Sequence, residues 1–274
     1  MEKTITFENA PLVELVVEVR WPVKSVKLPN GMNIITDTSA IFDQWYKGLL
    51  EELQKAGYSS MERIVPQEML PIAQQPVFRF TKAGEKFPLV QFGYGVFTVN
   101  AGPPSYVSWE NLRPEVERNI GLLLSMMPKE AGVESFEHVS LRYIDSFEEK
   151  HRDGQSNYAF IRDILGVKVN LPQGLVDYAD DIDNVTPTIA MRLPVKGTTG
   201  STIMFQAAAG RIGQQPDLSS IIDMTFAVAN KTQAKVHEVL SVLDNAHTVL
   251  HDWFMKITKD ERLTASMAPL KQAK

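Results

Sequence analysis

Two short stretches of this chain carry charged side chains spaced so that they can act together. Glu14, Glu18 and Arg20 alternate with Val13, Leu15, Val17, Val19 and Trp21, and His138, Ser140 and Arg142 alternate with Val139, Leu141 and Tyr143. In extended backbone successive side chains point to opposite faces, so each stretch has one apolar and one charged face. Both place an aromatic residue directly after an arginine, as Arg20-Trp21 and Arg142-Tyr143. If the two strands are neighbours in one sheet, their charged residues converge. Arg192 and Asp223, at alternating positions of later strand-like stretches, then join them. A guanidinium donates two parallel hydrogen bonds to a carboxylate or phosphate. The expected ligand site is therefore Glu18, Arg20, His138, Arg142, Arg192 and Asp223, and the expected ligand a small anion. The plainer alternative is a solvated sheet face laced with ion pairs, each contributing about 0.2–1 kcal/mol.

The other constellations point away from catalysis. His247 and His251 stand one helical turn apart, a spacing that grips zinc, but Thr248 occupies the position where a metalloprotease has glutamate. A buried histidine bonded to a neighbouring carbonyl is the expectation there. Asp177, Asp180, Asp181 and Asp183 crowd one loop without the glycine and distal glutamate of a calcium loop, and read as a solvated acidic loop. No glycine-rich phosphate loop and no serine elbow occurs. The chain has no cysteine, which removes disulfides, thiolate metal sites and cysteine nucleophiles. Neither a metal nor a cofactor is expected. Tyr94, Tyr106 and Trp109 surround a Gly/Pro turn, with Trp109 read as a packing anchor near a helix start.

The elements that would position these residues follow from periodicity. A strand over 13–21 is followed by a helix over 40–56, whose stripe is Phe42, Trp45, Leu49 and Leu53. An irregular connection at 66–76 leads to a hairpin of strands 77–81 and 88–99, with Gly93 and Gly95 marking a bulge or a close backbone approach. A second helix carries Val116, Ile120, Leu123 and Leu124, and Pro114 implies that its regular part starts near Arg113 or that an earlier start is kinked. A polar break at 128–135 precedes a strand over 136–147, a short helix over 157–165 and an extended insertion over 166–184. Strands at 187–194, 201–209 and 218–229 follow. The last helix, 231–257, has a stripe about seven turns long from Val236 to Ile257. The tail after Thr258 reads as polar and loosely held. The fold class is thus α+β, with mostly antiparallel sheet and flanking helices. Two β-α-β-β-α-like halves, 1–130 and 131–274, form a pseudo-repeat, with an extra strand in the second, and one continuous sheet through both is one arrangement that fits.

The ordered set Asn9-Ala10-Pro11-Leu12-Val13-Glu14, Gln91-Phe92-Gly93, Tyr106-Val107-Ser108-Trp109-Glu110 and Leu141-Arg142-Tyr143-Ile144-Asp145, with the closing His247–Thr258 segment, resembles a family of sporadically distributed bacterial and archaeal proteins of unknown function. The likeness spans nearly the whole chain. Asp145 stands where an asparagine is expected. The resemblance implies no activity, and a sporadic distribution implies accessory genes such as those of phage-defence or toxin loci.

Composition bounds what remains. With 44% hydrophobic and 22% charged residues the chain is globular, and its length suffices for a sizeable core without staples. The net charge of −5 is spread without a basic block, so nucleic acid is not indicated. No stretch approaches the ~20 apolar residues of a membrane span, and the absence of cysteine leans to the cytoplasm. The expected function is non-catalytic: a recognition protein of an accessory bacterial system, such as phage defence, that engages a protein partner or a small anion through its charged sheet face. The alternatives are a hydrolase of a phosphorylated or nucleotide-like substrate, and a structural subunit whose last helix makes a homo-oligomer contact.

Overall fold

The structure is a computed structural model that describes residues 7–35, 40–69, 72–169, 172–178, 180–181, 185–214 and 216–269. Strand β1 (Leu12–Arg20) leads to a small hairpin of β2 (Ser25–Lys27) and β3 (Asn33–Ile35), then to helix α1 (Ala40–Lys55). Strands β4 (Ser60–Arg63), β5 (Pro76–Thr81), β6 (Leu89–Gly93) and β7 (Val96–Ala101) follow, and α2 (Trp109–Ser125) closes the first half. The second half opens with β8 (Ser135–Phe136) and β9 (His138–Phe147), then three short helices: α3 (Glu149–Arg152), α4 (Asn157–Ala159) and α5 (Gln173–Val176). Strands β10 (Thr188–Pro194), β11 (Ser201–Gly210), β12 (Ser219–Val228) and β13 (Thr232–Gln233) precede α6 (Val236–Ile257) and α7 (Glu261–Met267).

Nine strands form one antiparallel sheet in the order β10-β11-β12-β9-β1-β7-β6-β5-β4. The sheet and its flanking helices make the fold α+β. Each half contributes a three-strand meander, β5-β6-β7 or β10-β11-β12, whose last strand pairs with that half's first strand. The two first strands, β1 and β9, then pair with each other in the middle, Val17 opposite Leu141 and Arg20 opposite His138. The alternation explains the layering. Leu15, Val17, Val19, Leu141, Phe97, Val99 and Phe226 are fully buried on one face. The apolar stripes of α1, α2 and α6 lie on that face, with Trp45 stacked on Trp21 and donating from its indole nitrogen to the Leu123 carbonyl at 3.0 Å. Burial of these side chains at about 25 cal/mol per Å² is the main stabilising contribution.

Several expectations change. The stretch 88–99 is not one strand but β6 and β7, turned at Tyr94-Gly95, where Gly95 takes φ +79°. An apolar run on both sides of a two-residue turn has no polar break to announce it. Each half is therefore β-α-β-β-β-α at its core, and the supposedly extra strand is present in both. Of the two starts open for α2, the earlier holds: it begins at Trp109, capped by the Ser108 hydroxyl, with Pro114 inside. The tail after Thr258 is not loose: α7 buries Leu263 and Met267, with Asp260 accepting from the Arg262 and Leu263 amides. The last long helix starts at Val236, because Thr232–Gln233 pairs with Ser135–Phe136 instead.

Gly93 is the tightest backbone approach outside the turns. A Cβ there would lie 2.0 Å from the Gln75 carbonyl oxygen, whereas one on Gly121, within α2, would meet nothing within 4 Å. Gly93→Ala is expected to lose at least about 2 kcal/mol in urea unfolding, and Gly121→Ala to gain about 0.5–1 kcal/mol by helix propensity. Similar small effects at both positions would refute the close approach.

Candidate functional site

The predicted charged residues lie on the sheet face opposite the three long helices, and most of them meet. Arg142 donates to Asp223 through Nε at 2.8 Å, and a second bond from Nη2 makes the pair bidentate. The charge of Asp223 holds the Arg142 guanidinium above its ordinary pKa. Arg20 pairs with Glu18 at 2.7 Å, and His138 Nε2 lies 3.6 Å from the same carboxylate. Burial lowers the His138 pKa against the pull of Glu18. Beside them Glu14 accepts from Asn100, which accepts from Thr98. Arg192 does not join: it opposes Met204, which opposes Thr225, which opposes Arg142, so three inter-strand steps, about 14 Å, intervene.

Antiparallel pairing also separates the two echoing arginines. The repeated phrase superposes Arg20 on Arg142 and Glu18 on Ser140, and Glu18 and Ser140 are directly paired. A pseudo-two-fold axis through that pair throws the arginines to opposite sides, four residues or about 13 Å apart along the strands. Both guanidinium groups have carboxylate partners within the face, Asp223 on the neighbouring strand for Arg142 and Glu18 on its own strand for Arg20, so each meets an acid where an anion cradle was expected.

The same axis relates Trp21 to Tyr143, and here the halves diverge on the apolar face. Trp21 packs against Trp45, Phe92 and Phe136 beside a smaller recess of about 200 Å³. Tyr143 instead borders a pocket of about 310 Å³. Its floor is Tyr143 and Asp145 of β9 with Met224 of β12. Its walls are His247, Leu250, His251 and Phe254 of α6 and the Pro103–Ser108 loop before α2. Its outer side is the segment Phe7–Leu12, held by α7 and the residue after it: the Glu8 amide donates to Ala268 and the Asn9 amide to Met267, both at 2.9 Å.

A polar chain runs along one wall. Tyr106 and Tyr143 hydroxyls are 3.4 Å apart, and the Tyr143 hydroxyl is 2.8 Å from His247 Nδ1. With the imidazole in its Nε2–H tautomer, Tyr106 donates to Tyr143 and Tyr143 to His247. The ring of His247 is stacked between Trp109 and His251, at 5.5 and 5.6 Å. Trp109 donates to Asp244, which also takes the Arg113 guanidinium and ties α2 to α6. Burial, then the neighbouring His251, pushes His247 down to about 4, and burial lowers His251 as well. Burial lifts Tyr106 to about 12 and also raises Tyr143 well above its ordinary value. All four are neutral near pH 7.

Asp145 is the exception. Its side chain faces the pocket, is 3% exposed, and its Oδ2 has no hydrogen-bond partner. Burial, reinforced by Asp223 across the sheet, raises its pKa to about 7. A buried carboxyl held near neutrality in an apolar cleft marks a site that binds or transfers protons. Among the described residues no group of three or more potential ligands could hold a metal ion. His247 bonds to a tyrosine rather than to a carbonyl. Asp177, Asp180 and Asp181 are exposed, and Asp183 lies outside the described residues.

No family model, no curated protein and no solved structure matches this chain, so the reading of the site rests on its geometry. The sequence held two signals for the pocket: the His247/His251 pair inside an apolar stripe, and an aspartate at an inward-facing position of β9. Each was legible singly. Their meeting depends on the crossing of α6 over β9 and β12, which periodicity does not fix.

The raised pKa makes a signed prediction. Between about pH 4 and 7 the folded state keeps a proton on Asp145 that the unfolded chain has released, so this group lowers stability progressively across that window and uniformly above it. The lowered histidines act oppositely, losing stability as pH falls below about 6.5. Asp145→Asn removes only the first effect. It is expected to be nearly neutral at pH 4 and stabilising by about 2–4 kcal/mol at pH 8 in urea unfolding. An equal effect at both pH values would show that Asp145 titrates normally.

Proposed function

We propose that this chain is a recognition protein that takes a small molecule into the pocket between β9, α6 and the Phe7–Leu12 segment. The observation that carries this reading is a cleft of ligand size with apolar walls and one buried, unpartnered carboxylate oxygen. The charged sheet face supports it indirectly. Its arginines already serve Asp223 and Glu18, which leaves that face as a surface for a protein partner rather than as the ligand site. The apolar stripe of α6 packs within the chain, with Val239, Leu243, Ala246 and Leu250 buried, which speaks against its use as an oligomer contact. No helix among the described residues is long and apolar enough to cross a membrane. A place in the cytoplasm, in an accessory bacterial system such as phage defence, is supported by the lack of cysteine and the family resemblance alone.

A second reading is proton-transfer catalysis, favoured by a carboxyl whose pKa stands near 7 beside a Tyr-Tyr-His chain. Among the described residues the pocket wall holds no lysine or arginine, which does not suit phosphorylated substrates.

Thermal-shift screening against small organic molecules tests the main reading. A ligand at a hundredfold excess over its Kd is expected to raise Tm by about 5 °C. Ala10→Trp, at the exposed rim, should abolish the shift without lowering the unliganded Tm. A wild-type protein that no compound shifts refutes the pocket. Recovery of the bound molecule chemically unchanged after prolonged incubation rejects the catalytic reading, and conversion that Asp145→Asn stops supports it.

A further inference from the structure

We infer that the pocket's ligand is an organic amine with an apolar body, bound as its ammonium ion with Asp145 as counter-ion. This rests on the pocket being a ligand site and names what it selects. Asp145 is buried, lines the cavity, and has one carboxylate oxygen with no hydrogen-bond partner among the described residues. A buried carboxylate without a partner is costly, and a ligand N–H⁺ is the group that relieves it.

The surroundings carry the same sign. Among the described residues no lysine or arginine lines the cavity. The groups that face Asp145 are Tyr106 and Glu110 from the α2 side, Tyr143 on its own strand, His247 and His251 from α6, Glu8 at the rim, and Asp223 across the sheet. The phenols and imidazoles are uncharged near pH 7, Asp223 is paired with Arg142 on the far face, and the other described groups named here, Glu8 and Glu110, are acids. An anion would enter against this field and a cation with it. The unpartnered oxygen asks for a hydrogen-bond donor, so a primary or secondary amine suits it better than a quaternary ammonium, which has none. Phe254, Tyr106 and Leu250 offer the apolar and aromatic surface for the rest of the molecule. At about 30 Å³ per water, the cavity holds roughly ten waters, which matches a ligand of about ten non-hydrogen atoms.

Calorimetric titration with three probes of one shape decides the matter: 2-phenylethylamine, 2-phenylethanol and 3-phenylpropionate. The amine is expected to bind at least tenfold tighter than either of the others at pH 7.5. Its affinity should fall about tenfold per pH unit once pH drops below 7, as Asp145 takes up its proton. Asp145→Asn, checked for folding by circular dichroism, should remove both the preference and this pH dependence while leaving the alcohol within threefold. An alcohol that binds as tightly as the amine, or a carboxylate that binds better, overturns the amine inference and leaves the pocket standing. Failure of all three probes to bind the wild type overturns the amine inference. The pocket reading then falls only if the broader thermal screen is also empty.

Discussion

The pairing of β1 with β9 is the constraint from which the rest of the structure follows. It joins two meanders, each too small to cover its own apolar face, into one nine-stranded sheet on which three long helices can pack. Because the pairing is antiparallel, the two similar strands are related by a two-fold axis rather than by translation. Equivalent residues are therefore set apart, and unlike residues are brought together. Glu18 faces Ser140, Arg20 faces His138, and His138 and Arg142 find their carboxylate partners across strands. Such pairs fix register more than they add stability, since a one-residue slip would bury them all.

The same axis makes the asymmetry of the apolar face informative. Position 21 is a tryptophan wedged among aromatic rings, and its counterpart, Tyr143, is a hydroxyl-bearing ring in a polar chain. Two residues on, the counterpart of Val23 is Asp145. A duplicated scaffold that filled both positions with hydrocarbon would be more stable. A buried acid without a partner is the kind of local inconsistency that folding alone does not select. It sits where β1 shifts register against β9, between Leu12 and Glu14, so the irregularity of the strand and the chemistry of the site coincide.

Much of the architecture was written in local pattern. The alternation in 13–21 and 136–147, the stripe from Val236 to Ile257 and the turns around Gly197 and Gly200 each specify an element without reference to the rest. What pattern could not supply is of two kinds. The turn at Tyr94-Gly95 lies inside an apolar run, because both of its strands are buried on both faces, and so it lacks the polar punctuation that usually signals a reversal. The pocket is non-local. Tyr106, Asp145 and His247 are far apart in sequence, and the aspartate reads as an ordinary strand residue until α6 is laid over it. The charged face drew attention because charge alternation is conspicuous in sequence, whereas a single inward acid is not.

The outer wall of the pocket has a consequence for how the protein comes into being. Phe7–Leu12 is among the first segments described, and what holds it, the Met267 and Ala268 carbonyls and a bridge from Phe7 to Pro269, is among the last. During synthesis the Asn9 and Pro11 carbonyls of this wall can bond His151 and Ser146 as soon as β9 and α3 have formed, but its Glu8 and Asn9 amides have no acceptor until α7 has emerged. Completion of the cavity thus waits on α7, and a product stopped short of it would carry the sheet without a closed place for a guest.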